Sequence, residues 1–160
     1  MQSISRMPHL ADLQLSTQWT DVGAGALCGA LPALTRLFFG APDDALCAIA
    51  ALSRCAALQS LSLTDHQASP AWVGTLAATL GACTQLKSPS LYYLAPAEEV
   101  VRVDAPVDMR AAFQALSACR QLRKVDVRFT SLGPDGATLL CTVLQHHPAL
   151  KDVLLFDAGC

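Results

Sequence analysis

One short apolar pattern recurs along this chain and limits what it can fold into. The pattern is Leu-x-x-Leu-x-Leu or a close variant, and its six copies begin at Leu10, Leu34, Leu58, Leu86, Leu122 and Leu150. Successive copies are separated by 24, 24, 28, 36 and 28 residues. A single copy arises easily by chance in a leucine-rich chain, but six copies at nearly regular spacing indicate an internal structural repeat.

Each copy alternates in the manner of a short β-strand. In the third copy, Leu61 and Leu63 point to one side of an extended backbone, and Ser60 and Ser62 point to the other. This alternation predicts a strand with one buried face. The fourth copy is damaged, because Pro89 replaces its second leucine and has no N–H to donate. We therefore expect weaker strand pairing at that position.

The segments between the predicted strands are rich in alanine and leucine. Their apolar residues recur at three- and four-residue spacing, which predicts helices with one buried face. These segments are 48–55, 76–83, 113–119 and 140–147. One strand and one helix therefore alternate about every 28 residues. A hydrophobic content of 52% excludes an intrinsically disordered chain.

This alternation resembles the leucine-rich-repeat family, whose units contain about 20–29 residues. Residues 131–150 are similar to the ribonuclease-inhibitor-like subtype, in which a Leu-Gly turn precedes a Gly-Ala-x-x-Leu-Cys helix, and residues 21–28 are similar to that helix. Three cysteines, each three residues before the first leucine of a strand, are more similar to the cysteine-containing subtype: Cys55, Cys83 and Cys119. The resemblance covers roughly residues 7–160. It implies an α/β solenoid, or horseshoe, of about six strand–helix repeats with a parallel β-sheet.

The chain departs from the family at the turn that follows each strand. The family normally places Asn, or sometimes Cys, three residues after the last apolar position, where its side chain bonds to the backbone. Here those positions hold Gln18, Pro42, His66, Leu94, Thr130 and Ala158. We therefore expect less regular turns, as in a diverged array.

We interpret residues 1–160 as a single leucine-rich-repeat domain with one insertion. The long gap between the fourth and fifth copies contains about 15 additional residues, at about 95–109, which mix charged and β-branched residues between prolines. Insertions in repeat proteins form surface loops and often serve binding. The alternative, a loop that is merely tolerated, remains open at this point.

The ends of the repeat array also bear on function. Few residues precede Leu10, and the chain continues for only five residues beyond Leu155. Because terminal repeats of a solenoid usually need a polar cap, we expect an unshielded apolar side on the sixth strand. Two interpretations follow: the chain is a fragment of a longer array, or it associates end to end with a second copy.

The residues that usually carry chemistry do not form a catalytic set. Cys141 and His146 lie five residues apart on one predicted helix, so their side chains diverge, and no Cys-x-x-Cys pair or nucleotide-binding motif is present. Six of the seven cysteines fall at repeated helical positions, where we expect small buried residues, with Cys141 facing the core. We expect His146 and His147 to cover a helix C-terminus. We predict that the protein is not an enzyme and has no catalytic residue, metal or cofactor.

Charge and hydropathy limit the partners and cellular locations that this protein can have. The formal net charge of −2 does not favour nucleic acid as a partner, since nucleic acid requires a concentrated basic surface. No apolar run approaches the roughly 18–20 residues that span a bilayer, and the N-terminus does not resemble a secretory signal. The chain contains no asparagine, which excludes N-glycosylation. We predict an intracellular, cytoplasmic protein without a membrane partner.

The remaining candidate for a functional surface is the side of the strands that faces away from the core leucines. In a solenoid, this side lines the concave surface. Aromatic and arginine side chains are frequent anchors of protein interfaces. We predict that a partner protein binds there through Arg36, Phe38, Tyr92, Lys124, Asp126, Arg128, Leu154 and Phe156. The alternative for this surface is a solvated face with scattered apolar residues. The leading function is thus a protein–protein interaction module, and the alternative is a structural or regulatory fragment of a larger multidomain leucine-rich-repeat protein of sensor or signalling type.

Overall fold

Strands and helices alternate along the part of the chain that the computed structural model describes, which comprises residues 9–15, 23, 32–40, 46–64, 67–92, 95–96, 108–128 and 132–156. The strands are β1 Asp12–Leu15, β2 Arg36–Gly40, β3 Ser60–Thr64, β4 Gln67–Ala68, β5 Ser88–Tyr92, β6 Ala95–Pro96, β7 Lys124–Arg128 and β8 Asp152–Phe156. The helices are α1 Leu46–Ala51, α2 Pro70–Ala82, α3 Arg110–Ala115 and α4 Gly133–Leu144. Short 3-10 turns, Leu52–Arg54 and Leu116–Ala118, extend α1 and α3.

The main sheet contains one strand from each copy of the apolar pattern. Its order is β1-β2-β3-β5-β7-β8, and every neighbouring pair is parallel. Equivalent positions of successive copies stand side by side, as in Leu37↔Leu61 and Leu63↔Leu91. The predicted α/β fold with six parallel strands and alternating helices is therefore confirmed. The arrangement is compatible with an open solenoid, and the damaged fourth copy does not interrupt the sheet.

Pro89 weakens the pairing on one side of its strand, as its sequence position predicted. Strand β5 pairs with β3 over five positions, but with β7 over only three, beginning at Ser90↔Asp126. The amide of Lys124 donates to the carbonyl of Lys87 at 3.0 Å. In a parallel ladder the next donor on β5 would be residue 89, which as a proline has no N–H.

The helices form a layer on the leucine side of the sheet. Each helix packs beside the next along the chain, α1 against α2, α2 against α3, and α3 against α4. Helix α2 begins at Pro70, and the side chain of Ser69 caps it by accepting a hydrogen bond from the amide of Trp72 at 3.1 Å. The core between helices and sheet includes Trp72 and Phe113, both fully buried.

Three cysteines form a buried row under the ends of the helices. Cys55, Cys83 and Cys119 are each 0% exposed. The thiol of Cys83 lies 3.6 Å from the carbonyl oxygen of Leu52, and that of Cys119 lies 3.5 Å from that of Leu80. Burial raises the pKa of the Cys83 thiol to about 12 and that of Cys119 to about 11. These thiols therefore act as small core side chains.

Two other cysteines contradict the prediction that the helical cysteines are buried. Cys47 and Cys141 are exposed. In α4 the buried face is set by Leu140 and Leu144, and the residue next to Leu140 is turned about 100° away around the helix axis. In α1 the buried residues are Ala48 and Ile49, and Cys47, which precedes them, is turned away from the core in the same way. The remaining two, Cys28 and Cys160, lie outside the described residues.

Strand β8 has an open apolar side, as expected from the repeat. Val153 and Leu155 are 42% and 38% exposed, whereas the equivalent residues of β7, Val125 and Val127, are 2% and 1% exposed. Among the described residues, therefore, nothing covers the core side of this strand.

The predicted insertion lies mostly outside the described residues, and so do the six turn positions that lack asparagine. Its first two residues form β6, which pairs with β4 in a second small parallel sheet that the sequence did not predict. At the end of α4, the ring nitrogen Nδ1 of His146 lies 2.9 Å from the carbonyl oxygen of Thr142, in agreement with the predicted covering of the helix terminus. His147 does not fit that prediction, because its side chain is buried and burial, together with the charge of His146, lowers its pKa. No helix in the described part of the chain is both long and apolar enough to cross a membrane.

Candidate interaction surface

The side of the sheet opposite the helices carries rows of polar, aromatic and apolar side chains, which we call the strand face. The strand register places equivalent residues next to one another across the sheet. The middle row consists of Gln14, Phe38, Ser62, Ser90, Asp126 and Leu154. The row towards the strand ends consists of Gly40, Thr64, Tyr92, Arg128 and Phe156.

A network of four side chains occupies the centre of the β5–β7 part of the strand face. The guanidinium of Arg128 donates from Nε to Oδ1 of Asp126 at 2.6 Å and from Nη2 to Oδ2 at 2.8 Å. The hydroxyl of Tyr92 donates to Oδ2 at 3.0 Å, and Nζ of Lys124 lies 3.5 Å from the same oxygen. The guanidinium carbon of Arg128 also lies 5.4 Å from the centre of the Tyr92 ring, within range of a cation–π contact. These contacts hold Tyr92 and Arg128 in fixed positions.

Asp126 is covered by its own neighbours. We expected its side chain on an open face, but it is 0% exposed. Lys124 and Arg128 stand two positions before and after it, on the same side of the strand. Burial alone raises the pKa of this carboxyl, but hydrogen bonds from Arg128 and Tyr92, together with the charges of Arg128 and Lys124, outweigh it, so the pKa is lowered. Asp126 therefore organises its neighbours and is not itself accessible to a partner.

Two exposed apolar side chains adjoin this network on β8. Leu154 is the register partner of Asp126, and Phe156 is the register partner of Arg128. Leu154 is 40% exposed and Phe156 is 60% exposed. The structure thus brings together six of the eight residues singled out from the sequence: Tyr92, Lys124, Asp126, Arg128, Leu154 and Phe156.

The other two residues lie apart from this group. Arg36 forms an exposed ion pair with Asp12, with Nη2 and Oδ2 separated by 2.8 Å. Phe38 is half-buried and stands beside Ser62 of β3. The serine-lined strand β3 therefore separates both residues from Tyr92, by about two strand spacings of 4.8 Å each.

A second set of charged residues stands immediately before the strands and was missed in the sequence analysis. We call Lys87, Arg123 and Lys151 the entrance row, because they precede the first residues of β5, β7 and β8. The amide of Arg123 donates to the carbonyl of Lys87, and that of Lys151 donates to the carbonyl of Arg123, both at 2.8 Å. Their common position, directly after the first leucine of each copy, could have revealed them.

Other parts of the described surface are weaker candidates for a binding site than the strand face. Between α2 and α3 there is an open depression of about 550 Å³, whose charged residues, Asp108 and Arg110, are paired with each other at 2.8 Å. This pairing, mainly the hydrogen bond from the Arg110 side chain, lowers the pKa of Asp108 to about 2. Within the described ranges, no group of three or more His, Cys, Asp or Glu residues is arranged to hold a metal ion.

No protein-family model and no curated protein matches this chain. The case for a function therefore depends on the geometry of the strand face.

Proposed function

We propose that this protein is a protein–protein interaction module, built on a diverged leucine-rich-repeat solenoid, and that it binds its partner through the concave strand face. One observation carries the proposal. A continuous six-stranded parallel sheet has helices on one side, and its other side places exposed Leu154 and Phe156 beside the rigid Tyr92–Asp126–Arg128 network.

The uncovered side of the sheet is unusual for its topology. Parallel sheets are normally covered by helices on both faces. In the described part of this chain the strand-face side chains of β3 and β5, such as Ser62 and Ser90, are half-buried beside one another but lie under no helix. A face that remains open along several strands supports recognition of an extended surface.

The network at Asp126 supports binding in preference to catalysis. Its carboxylate accepts hydrogen bonds from two side chains and lies near a third, so it is not available as a general base. What the network presents outward is an aromatic ring and a guanidinium in fixed positions. Preorganised aromatic and arginine side chains lose little conformational entropy on binding, which is why they serve as anchors.

A photo-crosslinking experiment tests this proposal. A photoreactive phenylalanine analogue placed at Ser90, in the middle of the strand face, should form adducts with the partner protein. The matched control places it at Ala78, which is exposed on helix α2. The partner, once identified, should bind L154S/F156S more weakly than the unmodified chain. Adducts that form only from Ala78 would overturn the proposal.

A second candidate function is a structural or regulatory segment of a larger multidomain protein. The exposure of Val153 and Leu155 on the core side of β8 favours it, because these positions are buried in the preceding copy. Sedimentation equilibrium over a concentration series distinguishes the outcomes. Reversible association that V153S/L155S abolishes would mean that a second copy covers this side of β8 and would count against the candidate, whereas a monomer at every concentration would exclude end-to-end pairing and support it.

An intracellular, cytoplasmic location is also part of the proposal. It is supported by Cys83 and Cys119, which are buried as thiols and not as a disulfide, because structural disulfides are typical of oxidising, extracellular compartments. Fractionation of cells that express the tagged chain would test it, and recovery in the culture medium would contradict it.

A further inference from the structure

The entrance row brings three cationic residues together from distant parts of the chain. Lys87, Arg123 and Lys151 are connected in succession by backbone hydrogen bonds of 2.8 Å, so they occupy neighbouring strands at the same level. Neighbouring strands are about 4.8 Å apart. The formal net charge of the whole chain is −2, so this concentration of positive charge runs against the overall balance.

The other cations of the main sheet have a carboxylate partner, whereas among the described residues no carboxylate pairs with the entrance row. Arg36 is paired with Asp12, and Lys124 and Arg128 are paired with Asp126. Lys87 donates to the neutral side chain of Gln59 at 2.9 Å. For Arg123 and Lys151, which are exposed, no ion pair exists within the described part of the chain. Like charges on adjacent strands repel each other, and an anion placed along the row relieves that repulsion.

The apolar side chains of β8 lie at a fixed distance from this row. Leu154 and Phe156 lie in β8, and Lys151 directly precedes that strand, so their α-carbons are about 10 and 16 Å from that of Lys151. The amides of Lys151 and Asp152 both donate to the carbonyl of Arg123, so the backbone bends at Lys151 and the regular alternation of side chains begins only at Asp152. A ligand that uses both features must therefore combine negative charge with apolar side chains a few residues apart. An extended polypeptide has this combination.

We propose that the β5–β7–β8 part of the strand face binds an acidic segment of a partner protein, with its carboxylates on the entrance row and its apolar side chains on Leu154 and Phe156. This inference rests on the proposed function and narrows the class of partner. Asp126 and Asp152 stand among the cations of this region, and a continuous phosphate backbone would be repelled by the exposed Asp152. A peptide places discrete carboxylates and avoids that contact, so an acidic peptide fits better than nucleic acid.

Fluorescence anisotropy with a defined probe tests the inference. The probe is a short fluorescein-labelled peptide in which glutamates are interspersed with leucine and phenylalanine, and the reference peptide has glutamine in place of each glutamate. The glutamate probe should bind more tightly, and the difference should shrink at high ionic strength because salt screens exposed charges. R123Q/K151Q should weaken glutamate-probe binding about fivefold at low salt, from two exposed pairs of about 0.5 kcal/mol each.

The matched control is R54Q/R120Q, which removes two exposed arginines outside the strand face. It should leave the affinity of the glutamate probe unchanged. Equal binding of the glutamate and glutamine peptides, or equal loss of affinity in the two double variants, would overturn the inference. Tighter binding of a short DNA duplex than of the glutamate probe would overturn the assignment of the partner class.

One further variant separates this inference from the proposed function. S62W/S90W fills the middle of the strand face without altering any charge. If it abolishes binding of the partner found by crosslinking while R123Q/K151Q has no effect on it, the strand face binds but the acidic preference is wrong. If neither variant affects partner binding, the proposed function fails as well.

Discussion

The hydroxyl of Tyr92 donates a hydrogen bond of 3.0 Å to Oδ2 of Asp126, a residue 34 positions later in the chain and one strand away in the sheet. This bond connects the fourth and fifth copies of the apolar pattern on the side of the sheet where no leucine packing exists. It also fixes the ring against which the Arg128 guanidinium is stacked. The stability of the network and the shape of the strand face therefore depend on the same carboxylate.

Removal of that carboxylate should destabilise the protein. We expect D126A to lower the free energy of unfolding by about 1–2 kcal/mol, since it leaves a tyrosine hydroxyl and two cations without their partner. The loss is smaller than for a fully buried pair, because Lys124 and Arg128 are more than a third exposed and water can solvate them. Urea unfolding measures the change, and D152A, at an exposed position, is the control. An equal effect of the two substitutions would contradict the importance of the network.

The contribution of Asp126 should also depend on pH. Its pKa in the folded protein is lowered from the ordinary value of 3.8, so its ionised form stabilises the fold. The stabilisation is complete above that ordinary value and is lost as pH falls through the lower folded-state pKa. Unfolding of the unmodified protein and of D126N, compared between about pH 5 and pH 3, should show a difference that shrinks on acidification. A difference that grew as the pH fell would refute this account.

Restoring a backbone donor at position 89 should strengthen the sheet. P89V would supply the N–H that β5 lacks towards β7, and valine suits this buried position beside Leu61. Loss of a proline also increases the conformational entropy of the unfolded chain, which lowers the free energy of unfolding by about 0.4–1 kcal/mol. P148V, at an exposed loop proline, measures that cost separately. We expect P89V to be more stable than P148V by about 1 kcal/mol, and equal stabilities would show that the missing donor has no effect.

The thiols should divide into two classes in the folded protein. Cys47 and Cys141 are exposed, whereas Cys55, Cys83 and Cys119 are buried. Because the thiolate is the reactive form, the raised pKa values of the buried thiols slow their alkylation further. Among these five cysteines, brief treatment with iodoacetamide followed by peptide mass spectrometry should modify only Cys47 and Cys141, and urea should make the other three reactive. Native modification of Cys83 would contradict the described core.

The leucine pattern predicted the position of every strand in the main sheet, because alternation along an extended backbone is a local property. The Ala/Leu-rich segments predicted the helices, the missing N–H of Pro89 predicted weaker pairing at β5, and the rule that terminal repeats need a cap predicted the open apolar side of β8. The prediction of burial was wrong for Cys47 and Cys141, since a Leu-Cys pair on a helix can turn either residue towards the core. Only the packing of Leu140 and Leu144 decides that rotation. The small β4–β6 sheet was missed because two-residue strands have no detectable periodicity.

The candidate surface could also be predicted only in part from the sequence. The sequence by itself determined which side chains face away from the core, because successive residues of a strand point to opposite sides. Only the tertiary structure decided which side-chain atoms meet: the carboxylate of Asp126 lies under Tyr92 and Arg128, and the ammonium of Lys87 lies against the side chain of Gln59. The physical reason is that contacts across strands depend on the register between segments 28 to 36 residues apart. That register is a long-range property of the sheet, and the alternation within a single strand carries no information about it.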